Sequence, residues 1–395
     1  MNILSLSPLQ FSHYITIASE FLEQYAFTIT PSVIERLRAQ YSDLDQQSRS
    51  IIIDIALHTH KAKQQEWYKE LSPWYFTEQT LMQSSEPAFA RHVINTLDVK
   101  GHRFIESCTG AGMHTFSALQ HGASEINTHE VDPFIGYLAS VNASFHGYTM
   151  HPILQDGALA ETSSQDMFWA DPSRRKDGLT RKQMTGYYSP ELHILIEKAK
   201  RSKRGGIKIA PGERIEGEFT REFLGIGREC REQILWFHTE VMDGTATLID
   251  KDKRYQPTTI DAIPTMISFN QIAQSAYILE PHPALIRGAL SAYYAESSIS
   301  VFDRNIAYGI SQSRQDVDWF THYHILHCDT FSRKKLQAFI EAHQWNRTTE
   351  IKKRGFPMEP DDIRKQLRFT DGDQAGVIIL TRVNDEHVMI LCKRG

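Results

Sequence analysis

Hydrophobic and polar residues follow two different patterns along the chain, and the pattern changes near residue 99. Before that point, stretches such as "PSVIERLRAQY" and "DQQSRSIIIDIALHTHKAKQQEWYKE" predict helices, and no glycine occurs before Gly101. After it, short apolar runs alternate with amphipathic stretches, which is typical of parallel strands joined by crossover helices. The sequence therefore predicts a helical N-terminal region over residues 1–98, followed by an α/β fold.

The α/β part begins with a strand, a helix and a second strand. We predict one helix over residues 113–120, and another between Asp132 and Gly147, because aspartate favours the N-cap of a helix and glycine favours its end. The predicted strands cover residues 103–107, 126–131, 150–154, 166–171 and 206–210, with later strands in "EQILWFHT" and "TATLID".

The pattern changes again after about residue 270. Residues 271–320 predict a strand, a helix and one or two short strands. Residues 321–395 predict two strand–helix pairs and then a hairpin, in which "GVIILTR" and "HVMILCK" flank Val383, Asn384 and Asp385. This last segment is therefore expected to be a compact α/β module of its own.

Composition limits the expected partners and location. The 395 residues carry a net charge of -5, so any nucleic-acid contact must come from local patches. The sequence lacks a secretion signal and a run of the ~20 apolar residues that a membrane helix needs. Four cysteines lie far apart without a CxxC pair. We expect a cytoplasmic protein with reduced thiols, no membrane segment and no metal, whose oligomeric state stays open.

The stretch "FIESCTGAGMH", residues 104–114, contains the first candidate ligand site. Glu106 ends a predicted strand, and Gly110 and Gly112 form the turn into the next helix. A dinucleotide-binding turn would have a third glycine where this chain has Thr115, and Glu106 would repel a pyrophosphate. S-adenosylmethionine has no phosphate, and a carboxylate at this position suits its ammonium group. The alternative is that Glu106 only caps the strand or pairs with a lysine.

Further acidic residues follow the next two strands. Glu130 ends the second strand, where a carboxylate can accept hydrogen bonds from both ribose hydroxyls of an adenosine. Asp132 is better explained as the N-cap of the following helix. Asp156 could accept a hydrogen bond from the adenine amino group, although an aspartate before a glycine also serves a simple turn.

The fourth predicted strand ends in "DPSRR". Because ligands of open parallel sheets bind outside the carboxyl ends of the strands, Asp171 and Pro172 are expected to border the methyl acceptor. Arg174 and Arg175 either hold a phosphate or pair with surface carboxylates. Lys208, in the next strand, needs a partner such as Asp171 if it is buried.

The order of these elements resembles that of class I S-adenosylmethionine-dependent methyltransferases. "DPSRR", "KIAPG", "GRECREQILWF", "YILEPHPALIR" and "IKKRG" more closely resemble a bacterial family of candidate methyltransferases with a THUMP-like C-terminal domain, over roughly residues 75–395. This resemblance implies a Rossmann-like, seven-stranded methyltransferase domain over 99–270, a small ferredoxin-like segment over 271–320 and a THUMP-like domain over 321–395. It also implies direct methyl transfer to RNA, either tRNA or rRNA.

Two features depart from the usual pattern of that class. Cys108 stands where the turn commonly has its first glycine, and "DPSR" differs from the motifs "NPPY" and "DPPR". An enzyme that methylates pyrimidine C5 would also need a nucleophilic cysteine after the fifth strand, and "KIAPGE" has none. Covalent chemistry at uridine C5 is therefore not expected.

Basic clusters at 174–182, 197–206 and 350–355 are candidate RNA contacts, although such runs are often only solvated. Lys352, Lys353 and Arg354 are preferred, because they lie in the THUMP-like module. Two other functions stay open. One is a non-catalytic RNA-binding or scaffold protein, and the other is an NAD-dependent oxidoreductase.

Overall fold

The computed structural model describes residues 2–174, 187–259 and 261–395. The chain divides into two compact units. The first contains Met1–Phe219 and Ile234–Glu240, and the second contains Thr220–Gln233 and Val241–Gly395. Among the described residues, no helix is both long and apolar enough to span a membrane.

The first unit is an α/β structure built on parallel strands. Its described helices are α1 (Pro8–Glu23), α2 (Pro31–Gln40), α3 (Gln46–Lys63), α4 (Glu78–Gln83), α5 (Pro87–Leu97), α6 (Met113–Gln120), α7 (Pro133–Ser144) and α8 (Leu192–Arg201). Its strands are β1 (Arg103–Glu106), β2 (Glu125–Thr128), β3 (Met167–Ala170), β4 (Arg204–Ile209) and the latter part of β6 (Glu229–Phe237). The strand order is β2-β1-β3-β4-β6, and β1 to β4 run parallel.

The α/β alternation predicted from the sequence is confirmed. The helix predicted over 113–120 is α6. Asp132 caps α7 as predicted, because its Oδ1 accepts hydrogen bonds from the amides of Phe134 at 2.8 Å and Ile135 at 3.2 Å.

The strand predicted over residues 150–154 is wrong. Only Ile153 pairs there, in an isolated bridge with His129. Pro152 has no N–H to donate to a strand ladder, and a short turn begins just after Asp156. The segment therefore touches the sheet at one residue and then leaves it.

The N-terminal helices belong to the core of the first unit. Apolar residues of α1, α2 and α3 form one cluster with Leu138 and Val141 of α7. Asn142 of α7 is fully buried and clamps the backbone of Tyr75: its Oδ1 accepts from the Tyr75 amide at 2.8 Å, and its Nδ2 donates to the Tyr75 carbonyl at 3.0 Å. The region predicted to be helical is helical, and its boundary at residue 98 as a separate domain stays a prediction.

The second unit contains a six-stranded sheet and further strands. The elements that lead to this sheet are the first part of β6, β5 (Thr220–Ile226), β7 (Thr245–Leu248), β8 (Lys253–Tyr255) and α9 (Phe269–Ala273). The remaining elements are β9 (Tyr277–Pro281), α10 (Pro283–Arg287), α11 (Leu290–Glu296), β10 (Gly309–Ser311), β11 (Phe320–Thr330), α12 (Arg333–Ala342), β12 (Glu350–Lys353), α13 (Pro360–Lys365), β13 (Val377–Val383) and β14 (Glu386–Arg394). The order of the six strands is β10-β9-β11-β14-β13-β12.

The predicted C-terminal hairpin is confirmed, although Val383, predicted to lie between the strands, belongs to β13. Val383 pairs with Glu386, and the two residues between them, Asn384 and Asp385, have φ angles of 48° and 66°. Two residues with positive φ form the tight turn that matches the twist of antiparallel strands.

Two features of the structure differ from the domain arrangement that the family resemblance implied. β9 and β10 lie in the same sheet as β11 to β14, so the predicted segment 271–320 contributes strands to the sheet of the predicted THUMP-like module. The described residues form eight strands from β1 to β8, where the resemblance implied seven. The boundaries of the predicted domains stay predictions.

Candidate functional site

The carboxyl ends of β1 to β4 share one edge of the sheet, because these strands run parallel. The glycine turn follows β1 at this edge. Gly110 and Gly112 have φ angles of 52° and 84°, which favour glycine. A Cβ on Gly112 would also lie 3.1 Å from the Cβ of Ala139. The backbone of the turn therefore favours glycine at both positions, and the close approach of α7 adds a second requirement at Gly112 alone.

Glu130 lies directly against the glycine turn. Its Oε2 accepts a hydrogen bond from the Gly110 amide at 2.9 Å, and its Oε1 accepts one from the Asp132 amide at 3.1 Å. Burial raises the pKa of Glu130. A carboxylate oxygen has two lone pairs, so the side chain can brace the turn and still accept hydrogen bonds from a ligand.

Asp156 reaches the same edge because the following glycine packs on the end of β1. The Ser107 hydroxyl donates to the Gly157 carbonyl at 3.0 Å, and a Cβ on Gly157 would lie only 2.0 Å from the Ser107 carbonyl oxygen. The exposed Asp156 accepts from the Ala158 amide through Oδ1 at 2.8 Å. This bond is the turn role considered from the sequence, and the contact to adenine stays a prediction.

Glu106 is fully buried beneath the turn. Its Oε2 accepts hydrogen bonds from the hydroxyls of Thr128, at 3.0 Å, and of Thr115. Its Oε1 has no hydrogen-bond partner among the described residues. Burial raises the pKa of Glu106 to about 8, and the negative charges of Asp171 and Glu130 act in the same direction. The side chain therefore connects the end of β1 to α6 and to β2 through these two hydrogen bonds.

His114 is a site residue that the sequence reasoning missed. It follows the turn in α6 and is buried, with Nδ1 3.6 Å from Oε1 of Glu106. Burial lowers its pKa to about 3, so the imidazole is neutral near pH 7. Its Nε2 has no hydrogen-bond partner among the described residues, and its ring lies 4.8 Å from that of Trp169. No motif in the sequence marks this histidine.

Asp171 and Lys208 form the ion pair that the sequence predicted. Lys208 Nζ lies 2.9 Å from Oδ2 of Asp171 and 3.0 Å from the hydroxyl of Ser85, which precedes α5. Pro172, next to this pair, is buried. Ser85 was missed because it is distant in sequence and belongs to no motif. Through it, the N-terminal helical region reaches the end of β4.

The predicted phosphate-binding arginines follow Pro172. Arg174 is exposed, and Arg175 lies outside the described residues. The phosphate contact and the alternative surface ion pair stay predictions for these two residues.

Four carboxylates surround the glycine turn, and we refer to Glu106, Glu130, Asp156 and Asp171 as the acidic edge. Their combined effect is visible at Cys108, inside the turn. Burial raises the pKa of this thiol well above its usual value, and the charges of all four carboxylates raise it further. Lys208 is bound to one of them. The acidic edge therefore favours a cationic ligand and disfavours an anionic one.

Apolar side chains are exposed beside the acidic edge. Val131 is 72% exposed, Leu154 56% and Leu159 63%. Leu154 and Glu130 both lie next to Gly136 and are therefore close to each other. A Cβ added to Gly136 would lie 3.1 Å from Cδ2 of Leu154 and 3.8 Å from Cβ of Glu130. Such a surface next to ribose-binding and adenine-binding candidates suits a flat, apolar ring. The sequence reasoning did not select these residues.

The three predicted RNA contacts in the second unit all have carboxylate partners. Lys352 Nζ lies 2.8 Å from Glu280 and 3.0 Å from Glu350. Lys353 pairs with Glu359 at 2.5 Å. Arg354 lies 3.7 Å from Glu280 and stacks over Tyr308, 5.2 Å from the ring centre. A phosphate at these positions would have to displace a carboxylate.

Known proteins resemble the chain at three levels. Residues 321–394 match the THUMP domain-like family. Two Mycobacterium tuberculosis proteins, from strains CDC 1551 and H37Rv, are each described as an uncharacterized S-adenosylmethionine-dependent methyltransferase; each is 24% identical over 336 residues, covering 79% of this chain and 86% of its own. The crystal structure of a candidate methyltransferase from Porphyromonas gingivalis W83 has a TM-score of 0.68 at 15% identity, covering 96% of this chain and 98% of its own.

These similarities confirm the resemblance predicted from the sequence. The chain has a class I methyltransferase fold, a helical N-terminal region and a THUMP-like C-terminal domain. The names of the mycobacterial relatives give the same enzyme class and the same cofactor that the sequence predicts.

Proposed function

We propose that the protein is a cytoplasmic S-adenosylmethionine-dependent methyltransferase that acts on RNA. The charge of the acidic edge carries the cofactor assignment. Four carboxylates lie around the glycine turn and one lysine is paired with them. The sulfonium and ammonium groups of S-adenosylmethionine are favoured there, whereas the pyrophosphate of NAD would be repelled. The similarity to named methyltransferases along most of the chain supports the same choice.

The residues present fit the parts of this cofactor. Glu130 is the proposed partner of the ribose hydroxyls, Asp156 that of the adenine amino group, and the exposed apolar side chains beside them would contact the adenine ring. Gly110 and Gly112 leave room for the amino-acid part. Glu106 is the proposed negative charge beneath the ammonium group, because a nearby cation favours the ionised form of a buried carboxyl.

The bound cofactor supplies a methyl group on a sulfonium, open to direct displacement by a nucleophile. The protein's own contribution is to hold the acceptor in line with that methyl group. Lys208 fixes Oδ2 of Asp171, so its Oδ1 can accept a hydrogen bond from an acceptor N–H or O–H. Pro172 borders the same place. We assign no general base.

Calorimetric titration with S-adenosylmethionine tests the cofactor site. Replacing Glu130 with alanine should weaken binding by about 10-fold to 100-fold, since hydrogen bonds to a charged group are lost. Glu125→Ala is the matched control, because Glu125 is exposed and lies on β2, the strand that precedes Glu130. Wild-type protein that binds NAD in preference would favour the oxidoreductase. Wild-type protein that binds neither compound would favour the non-catalytic scaffold.

RNA is the proposed substrate because residues 321–394 match the THUMP domain-like family, which is related to RNA-binding domains. Lys352, Lys353 and Arg354 stay proposed contacts that would exchange a carboxylate for a phosphate. Arg174 and Arg175 stay proposed contacts beside the acceptor. Mass spectrometry of modified nucleosides from tRNA and rRNA, in cells with and without the gene, should show one methylated nucleoside missing when the gene is absent. An unchanged nucleoside profile would contradict RNA as the substrate.

A further inference from the structure

The amino ends of β1, β3 and β4 form the edge of the sheet opposite the acidic edge. Phe104 pairs with Met167, and Met167 pairs with Arg204, so the three strands begin level with one another. β1 has four residues, which puts its first and last Cα atoms about 10 Å apart at about 3.3 Å per residue. Basic residues from two separate parts of the sequence meet here.

Some of these cations are already neutralised. Asp166 binds both sides of the Arg103 guanidinium, with Nε at 2.8 Å from Oδ1 and Nη2 at 2.7 Å from Oδ2. Burial would raise the pKa of Asp166, but the hydrogen bonds from Arg103 and Ser163 outweigh it and hold that pKa below its usual value. Arg204 lies 3.7 Å from Asp98, and Lys200 lies 3.9 Å from Glu197.

Three other cations at this edge have no carboxylate within ion-pair distance among the described residues. We refer to Lys100, Arg201 and Lys203 as the basic edge, and all three are exposed. Lys203 Nζ lies 3.0 Å from Nε2 of His102, which is not an acid. The Lys203 amide donates to the carbonyl of Asp166 at 2.9 Å, but the carboxylate of that residue is taken by Arg103.

Helix electrostatics account for only part of this charge. Cations in the last turn of α8 stabilise the negative end of the helix dipole, and that explains Lys198, Lys200 and Arg201. Lys100 precedes β1 and Lys203 precedes β4, and both lie outside the helices. Lys203 contacts His102, two residues after Lys100, so exposed cations from both chain segments lie at this edge. Exposed like charges in one region favour an anionic partner.

We propose that the basic edge binds the phosphate backbone of the RNA substrate. This inference rests on the proposed function and adds to it a contact surface in the first unit. The partner is a polyanion that spans more than one site, because three exposed cations from two chain segments face solvent together. The basic edge would provide affinity and orientation without reading sequence, as contacts to phosphate do.

Binding of bulk tRNA by fluorescence anisotropy, between 50 and 200 mM KCl, tests the proposal. In one variant Lys100, Arg201 and Lys203 are all changed to glutamine. In the matched control Arg36, Lys63 and Lys69, which are exposed residues elsewhere in the first unit, are changed in the same way. Each triple removes two lysines and one arginine, so both change the net charge equally. Thermal melting checks that each variant is folded.

We expect the basic-edge triple to bind tRNA about 10-fold more weakly at 100 mM KCl. The slope of log affinity against log salt should fall by about 2, at about 0.7 for each of three phosphate contacts. An unchanged control triple supports the proposal. Equal losses in both triples overturn it, because net charge alone would then account for binding.

Two further outcomes separate this inference from the proposed function. Wild-type protein that binds tRNA as tightly as the basic-edge triple overturns the basic edge and leaves RNA as the substrate. Wild-type protein that binds S-adenosylmethionine but no tRNA removes RNA and the basic edge together. Anionic vesicles of phosphatidylserine and phosphatidylcholine serve as the other polyanionic surface. Binding of vesicles and not tRNA through these three residues overturns RNA as the partner.

Discussion

The two edges of the parallel sheet in the first unit carry opposite charges. The acidic edge, at the carboxyl ends of the strands, gathers four carboxylates around a glycine turn. The basic edge, at the amino ends, gathers three cations without carboxylate partners among the described residues. A net charge of -5 for the whole chain conceals this separation. A chain with a small net charge can therefore carry acidic and basic groups at opposite edges of one sheet.

The two edges also differ in burial. Glu106 is fully buried and Glu130 is half-buried, so a charge on either carboxyl group acts in a medium of low effective dielectric constant. The three cations of the basic edge are exposed. Salt screens interactions of exposed charges over a Debye length of about 8 Å at physiological ionic strength. We therefore expect the acidic edge to bind a small ligand with an affinity that depends weakly on salt. The basic edge is expected to bind a polyanion with an affinity that depends strongly on salt.

The largest expected effect on catalysis comes from replacing Lys208, near the carboxyl end of β4, compared with Lys203, just before its amino end. Lys208→Ala should lower kcat by about 100-fold, because Asp171 loses the partner that fixes it beside the acceptor. Lys203→Ala should raise KM for RNA and leave kcat nearly unchanged, since it removes binding shared by ground and transition states. Steady-state kinetics with saturating S-adenosylmethionine and varied RNA measure both parameters. The same pattern in both variants would contradict a division of roles between the edges.

The next effect is the salt dependence of the two ligands in one buffer series. Raising KCl from 50 to 200 mM should weaken RNA binding by about 20-fold, if three phosphate contacts contribute about 0.7 each to the slope. Binding of S-adenosylmethionine should change by less than about 3-fold, because Glu106 is fully buried and Glu130 is half-buried, and salt screens such charges less than exposed ones. Calorimetry and anisotropy provide the two measurements. Equal salt slopes would mean that the edges do not differ as proposed.

A smaller effect is expected for the pH dependence of stability. The folded pKa of Glu106 is about 8, above its unfolded value of 4.5, so folding is favoured by the proton it retains. This stability is present below pH 4.5 and is lost as pH rises towards 8. His114, Asp171 and Glu130 face the same carboxyl.

Glu106→Gln removes this titration and keeps a neutral side chain of similar size. Between pH 5 and pH 8.5, the Tm of the wild-type protein without cofactor should fall by about 5 °C more than the Tm of this variant. Glu125→Gln, at the exposed start of β2, should behave like the wild type. Parallel curves for wild type and Glu106→Gln would show that Glu106 is ionised in the folded protein.

Much of this picture was predictable from the sequence, because it depends on local patterns. The glycine turn, the capped helix after Asp132 and the final hairpin each depend on residues that are close together in the chain. The pair of Lys208 with Asp171 was predictable, because a lysine in a parallel strand needs a partner at a neighbouring strand end. These features need only periodicity and the chemistry of single residues.

The features that were missed depend on distant parts of the chain. Ser85 reaches Lys208 across 123 positions, and the neutral state of His114 follows from burial that no motif records. Likewise, "EIKKRG" and "AKRSKRGG" both look like exposed basic runs. The first meets glutamates from other elements, and the second supplies Arg201 and Lys203 to the basic edge.

That difference between the two basic runs leads to the smallest expected effect. Replacing Lys352, Lys353 and Arg354 with alanine should weaken tRNA binding, because the proposed contacts to phosphate are lost. The loss should be less than about 3-fold, and the salt slope should fall by less than about 1, because each phosphate contact must first break an ion pair with Glu280, Glu350 or Glu359.

Anisotropy under the same conditions as for the basic edge allows direct comparison. A loss as large as that of the basic-edge triple would show that phosphate displaces these glutamates readily, and that carboxylate pairing does not separate RNA contacts from structural cations. Unchanged affinity and slope would remove these three residues from the RNA contacts. An intermediate loss would mean that pairing with a carboxylate reduces the contribution of a cation to RNA binding. Cations without such a partner would then contribute most.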